Sequence, residues 1–192
     1  MAQDIPTFDQ ALALLKKFNQ NENLIKHALA VAASMQHFAQ LWGEDEDTWE
    51  VVGLIHDLDY DQFPEQHCQK TGEILREEGW PDDLIRAVQS HGWGICTDIE
   101  PKTRMEKTLY AVDELTGLIA AVALVRPSKS VRDVKVKSVK KKWKNLAFAA
   151  GANRQIIEQG AAMLEMELSE LIQHTLTAMQ GKADDLGLGG ID

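Results

Sequence analysis

The chain has 192 residues, 44% of them hydrophobic, and a net charge of −10, so it can bury one sizeable core and is too acidic to grip nucleic acid over its whole surface. Its two cysteines, Cys68 and Cys96, lie far apart with no C-x-x-C pair, which argues against a disulfide framework or a cysteine zinc site and suits a reducing cytoplasm. Met1–Gln10 carries Asp4 and Asp9 without a basic flank, and the longest apolar run, Leu118–Val125, falls far short of the roughly 20 residues that span a bilayer, so neither a signal peptide nor a membrane segment is expected.

Thr7 with Gln10 reads as a capping box that opens a helix to about Asn19. A second helix runs from about Glu22 to Trp42 and is stopped by Gly43, and a third from about Asp47 to Leu58. Pro64 suits the first turn of a helix through Glu78, ended by Gly79, and Pro81 does the same for a helix to about Ser90. His91–Gly94 then forms a loop. Thr103 with Glu106 is a second capping box, starting a long helix to about Val125, before Pro127. Beyond it the pattern predicts a basic helix to about Ala150, helices over 153–164 and 169–184, and a frayed glycine-rich end. Alternating strand patterns are almost absent, so the fold class is all-α, with a helical core over 1–126 and a C-terminal basic segment with helices, 127–192, packed on it.

Several polar residues fall where apolar ones belong. His27 is three residues from Leu24 and four from Val31, on the inward stripe of its helix, either as a satisfied core histidine or as a ligand. Asp113 lies among Leu109, Val112, Thr116, Ile119, Ala120 and Ala123, and a carboxylate there needs a cation, whether a basic side chain or a metal. His56 and Asp57 close the apolar segment Val51–Ile55, so both can reach one ion off the helix end. Two imidazoles and two carboxylates from three helices make a mixed N/O donor set suited to a divalent metal. His37 is about 80° off the face of His27 and His174 lies in the C-terminal helices, so both read as ordinary.

The order His27, His56-Asp57, Asp113 resembles the HD superfamily of metal-dependent phosphohydrolases over about residues 20–126. The resemblance implies a helical bundle with additional C-terminal helices here, direct metal ligands at those four positions, and hydrolysis of a phosphate ester or nucleotide. The dipeptide continues as Leu58-Asp59 where the commoner signature is His-Asp-Ile-Gly, and Asp59, Tyr60 and Asp61 follow where many members have a lysine. His67, five residues before Gly72, and His91 resemble the extra ligands of members that hold two metals. One or two divalent ions are therefore expected as cofactor, with Mn, Mg, Fe, Zn, Ni and Co not distinguished, and Asp57 as the bridge.

In this reading metal-bound water attacks phosphorus, and Asp61, four residues after Asp57, is the expected general acid/base, with Asp59 as the other choice. Arg126 to Lys144 holds nine basic residues and one acid, Asp133, leaving −18 for the remainder. Arg126 and Lys129, together with Lys70 on the same expected helical face as His67, are the candidate phosphate-binding groups, against the reading of a solvated helix face. Trp80 and Trp93 read as core or as stacking surfaces for a base. The expected partner is a small phosphorylated substrate or nucleotide, in the cytoplasm, without general nucleic-acid or membrane binding. Two rivals stay open: a di-iron oxygenase like the inositol oxygenase branch, and a metal- or nucleotide-binding module without catalysis.

Overall fold

The residues that open each helix decide where the chain turns. Thr7 accepts from the Gln10 amide while the Gln10 side chain accepts from the Thr7 amide at 2.8 Å, so α1 (Phe8–Phe18) starts on a reciprocal cap. Asn21 and Asp45 accept from the first turns of α2 (Glu22–Trp42) and α3 (Glu46–Ile55), and Gly43, at φ 68°, ends α2 in the left-handed conformation that glycine adopts without strain. After α4 (Gln69–Glu77) and α5 (Asp82–Ser90), the Thr103/Glu106 capping box opens α6 (Arg104–Leu124). The chain continues through α7 (Val136–Trp143), α8 (Arg154–Met163) and α9 (Leu168–Gly181). The structure is a computed structural model that describes residues 5–190; among them are nine α-helices and two short 3-10 turns and no strand, an all-α fold.

The long helices α2 and α6 lie side by side at the centre, with α3 against α2 and α8 against α6. Small residues make these approaches close. A Cβ built on Gly53 of α3 would stand 2.9 Å from Ala32 Cα of α2, and one on Gly160 of α8 would stand 2.8 Å from Ala111 Cα of α6. Only glycine fits at either crossing without moving a backbone. The apolar core passes residue 127 without a break, since Val131, Val139, Ile157, Leu171 and Met179 pack in one cluster with Met35, Ile55 and Leu115. No described helix is long and apolar enough to cross a membrane.

Four local expectations need correction. Helix α3 stops at Ile55 instead of Leu58, because the Leu58 amide donates to the Ile55 carbonyl and tightens the chain into turns through Gln62. Pro64 opens only a 3-10 turn, Pro64–Gln66, and α4 begins at Gln69 after a break in which Cys68 takes φ 66°. The basic helix is confined to α7, since residues 144–152 form turns whose carbonyls at Ala149, Phe148 and Ala152 are captured by the buried Arg154 guanidinium. The glycine-rich end is packed through Leu188, whose carbonyl accepts from the Val131 amide at 2.9 Å. The parts of the N- and C-terminal expectations that fall on residues 1–4 and 191–192 lie outside the described residues.

Candidate metal centre

Six side chains from five segments meet where the first turns of α2 lie against the middle of α6. His27 comes from α2, His56 and Asp57 follow α3, His67 stands in the break before α4, His91 caps α5, and Asp113 comes from α6. His27 Nε2 lies 3.0 Å from Asp113 Oδ1 and 3.7 Å from Asp57 Oδ2. His56 Nε2 is 3.4 Å from each of the same two oxygens. The other Asp57 oxygen, Oδ1, faces His67 Nε2 at 3.5 Å and His91 Nε2 at 3.4 Å, and these two nitrogens are 3.2 Å apart. Asp57 thus turns one oxygen toward each pair of imidazoles.

All four imidazoles present the same nitrogen for the same reason. His56 Nδ1 donates to the Gly53 carbonyl at 2.8 Å, His91 Nδ1 to the Val88 carbonyl at 2.6 Å and His67 Nδ1 to Asp59 Oδ1 at 2.7 Å, while His27 Nδ1 lies 3.4 Å from the Thr116 hydroxyl. With Nδ1 engaged, each ring turns Nε2 to the centre. Hydrogen bonding that fixes the tautomer and leaves the far nitrogen free is the arrangement of metal-ligating histidines. His56 Nε2 is fully buried and has no hydrogen-bond partner, so a divalent cation among these donors would satisfy an atom the protein itself leaves unsatisfied. The donor set fits such an ion.

The electrostatics show the same demand for positive charge. Burial pushes the Asp57 and Asp113 carboxyls up, but the adjoining imidazoles, His56 foremost, hold both well below the usual carboxylate range. Burial depresses His56 as well, yet Asp57 and Asp113 raise it well above an ordinary histidine, and Asp59 and Asp57 raise His67 against its own burial. Two largely buried carboxylates side by side demand compensating positive charge, which imidazolium or a bound cation would supply. Next to Asp113, the Glu114 carboxyl is raised by burial and by that aspartate.

The six donors open onto a cleft of about 420 Å³, walled by Tyr60, Gly92, Ile95, Cys96, Glu114, Gly117, Ala149, Gly151 and Ala152. Among the described residues no lysine or arginine lines it. Lys70 pairs with Glu73 at 2.8 Å, and because His67 precedes the helix the expected shared face does not exist. Arg126 borders a separate depression with Pro127, Lys137 and Lys141, and Lys129 sits at φ 48° in the turn after Pro127. The candidate phosphate groups are therefore not brought to the cleft, since the chain turns away at Pro127. Asp61 is also directed elsewhere: its Oδ2 accepts from the Gln20 and Asn21 amides at 2.7 and 3.1 Å, fixing the entry to α2.

Asp59 is fully buried and holds His67 and the Thr71 amide, an orienting position in place of the acid/base alternative. Trp80 is core, and Trp93 lies tilted against Tyr110, ring centroids 5.8 Å apart, outside the cleft. His37 and His174, read as ordinary, form a pair at 3.0 Å between α2 and α9. Sequence reasoning missed Glu114 and the wall 149–152; only the neighbouring Asp113 marked the first, and nothing local marked the second. Cys68 and Cys96, far apart in sequence, lie with their sulfurs 2.7 Å apart at the edge of the cleft.

Against known proteins, a family model described as HD domain matches residues 24–118, which contain all six donors. No solved structure matches the chain.

Proposed function

Since this chain belongs to the HD domain family through residues 24–118, whose members are generally metal-dependent hydrolases, we propose that it is a metal-dependent phosphohydrolase acting on a phosphate ester or nucleotide. One observation carries this reading: the two oxygens of Asp57 are divided between the pair His27/His56 and the pair His67/His91. His27, His56, Asp113 and Asp57 Oδ2 would hold one divalent ion, and His67, His91 and Asp57 Oδ1 a second. Bound there, the metal would supply a hydroxide at neutral pH and neutralise charge on a phosphoryl group.

The protein's own contribution is to orient and to enclose. Asp59 and the Gly53 and Val88 carbonyls keep the imidazoles in one tautomer, so the donors need no rearrangement before binding. Gly117 and Gly151 leave open space on the wall, where a Cβ would meet nothing within 4 Å, and so make room for the rest of a substrate. Glu114 is the acid on the wall outside the donor set, with one oxygen accepting from the Asn153 amide at 2.9 Å. Its other oxygen is free to hand a proton to the departing alkoxide. In the absence of cationic side chains, substrate charge is matched by the metal centre itself.

The six-donor set equally suits two irons, so the oxygenase reading stands as the second. The test is elemental analysis of protein purified without chelators, then release of phosphate from nucleotides and small phosphate esters with manganese, beside oxygen uptake with ferrous iron. Metal-dependent phosphate release that disappears in Asp57→Ala supports the hydrolase. Oxygen consumption without phosphate release assigns the centre to oxygen chemistry, and a loaded protein that does neither is a binding module.

A further inference from the structure

We propose that Cys68 and Cys96 are a reversible dithiol–disulfide pair built into the edge of the metal cleft, oxidised by a low-molecular-weight disulfide. Their Sγ atoms lie 2.7 Å apart, although 28 residues separate them in the chain. Three features hold them there. The Gln89 side chain donates to the Cys68 carbonyl at 3.0 Å, and the Gln89 carbonyl accepts from the Thr97 hydroxyl at 3.1 Å, so one residue ties both segments. The turn Gly92–Thr97 is closed by its own backbone bonds, with the Cys96 and Thr97 amides donating to the Gly92 carbonyl. Gly92 itself supplies the room, because a Cβ built there would collide with both sulfurs.

The two thiols differ in access. Cys68 is fully buried, whereas Cys96 is half-buried and lines the cleft. Cys96 is the sulfur a small reagent reaches. Its thiolate attacks one sulfur of oxidised glutathione, forming a mixed disulfide as the S–S bond breaks and one glutathione thiolate departs. Cys68 then loses its proton and attacks Cys96 Sγ, expelling the second glutathione, which takes up a proton. The protein gives up two electrons and one glutathione disulfide becomes two glutathiones.

Each cysteine belongs to a segment that carries a donor histidine. Cys68 follows His67 directly, and its Sγ lies 3.8 Å from His91 Nε2. His67, Cys68 and His91 can bring one donor atom each within 4.8 Å of one another. In the dithiol state this end of the centre offers a soft sulfur beside two imidazoles. The disulfide withdraws that sulfur and leaves nitrogen and oxygen donors, which lowers the preference for thiophilic ions such as zinc.

The test is independent of any turnover. Wild-type protein is equilibrated with glutathione buffers of rising oxidised fraction, and its thiols and intact mass are measured. Both thiols should vanish together, the mass should fall by two hydrogens, a Cys68–Cys96 peptide should appear, and reduced glutathione should reverse all three. Cys68→Ser should stop at one glutathione on Cys96, and Cys96→Ser should stay unmodified because Cys68 is out of reach. Wild type that keeps both thiols, or that accumulates glutathione on Cys96 without closing the disulfide, overturns the proposal. Zinc titration of the two wild-type states completes it: about tenfold or more weaker binding after oxidation is expected, and equal affinities would remove Cys68 from the donor set.

Discussion

Asp59 and Asp61 are two residues apart and do unrelated work, because the turn after α3 sends one carboxylate into the protein and the other to the start of α2. No spacing rule separates them, since their partners, Thr71 of α4 for Asp59 and the link before α2 for Asp61, are distant in the chain. The consequence is testable at Asp59. Asp59→Asn takes the charge from the acceptor that orients His67, and metal titration should show the affinity at the His67/His91 position reduced about 10–100-fold while the other position is retained. Loss of both positions together would mean that Asp59 supports the fold and not one ligand. Lys70, Arg126 and Lys129 do not line the cleft, so alanine at each should leave kcat/KM against the true substrate within about twofold, as expected for groups that do not touch the substrate. A tenfold loss in any of them would put substrate outside the cleft described above.

At the scale of elements, the site depends on how closely helices approach. Gly53→Ala places a methyl against Ala32 and Met35, so α3 must shift and carry His56 and Asp57 with it. Overpacking of this kind costs about 1–3 kcal/mol, to be read as a lower denaturant midpoint together with weaker metal retention. Gly117 is the opposite case, a glycine inside α6 facing open space. Gly117→Leu gains somewhat less than the about 0.8–1 kcal/mol of helix propensity that separates glycine from alanine and fills the cleft, so thermal stability should hold or rise while KM climbs with metal content unchanged. Unaltered kinetics would show that substrate does not use that wall.

For the molecule as a whole, the centre links stability to pH and metal. In the metal-free protein His56 and His67 titrate above the ordinary histidine range, so their contribution is present below about pH 6.5 and lost as pH rises through the raised values. Asp57 and Asp113 titrate below the ordinary range, so theirs is present above about pH 4 and lost as pH falls through the lowered values. The metal-free centre is most stabilising between those limits. A metal ion displaces the imidazole protons, so its affinity rises with pH. The Tm difference between metal-loaded and chelated protein should therefore be small near pH 5.5 and grow toward pH 8, where ligand at a hundred times Kd adds about 2.7 kcal/mol. An equal difference at both pH values would show that these imidazoles are not the groups the metal displaces.

The sequence by itself determined the helical class, both capping boxes and the family, because caps and the 3.6-residue period are local and each inward polar residue breaks that period visibly. It also singled out His27, His56, Asp57, His67, His91 and Asp113, which the fold gathers around one point. Only the tertiary structure decided what surrounds them. Arg126 and Lys129 follow α6 in sequence yet turn away at Pro127, while Ala149–Ala152, far along the chain, return to the cleft because Arg154 holds their loop by its carbonyls. Cys68 and Cys96 meet for the same kind of reason. Two segments with no shared period are brought together by α4 packing on α5, and by a glycine that leaves space for both sulfurs, and neither contact is written in the spacing of the residues that make it.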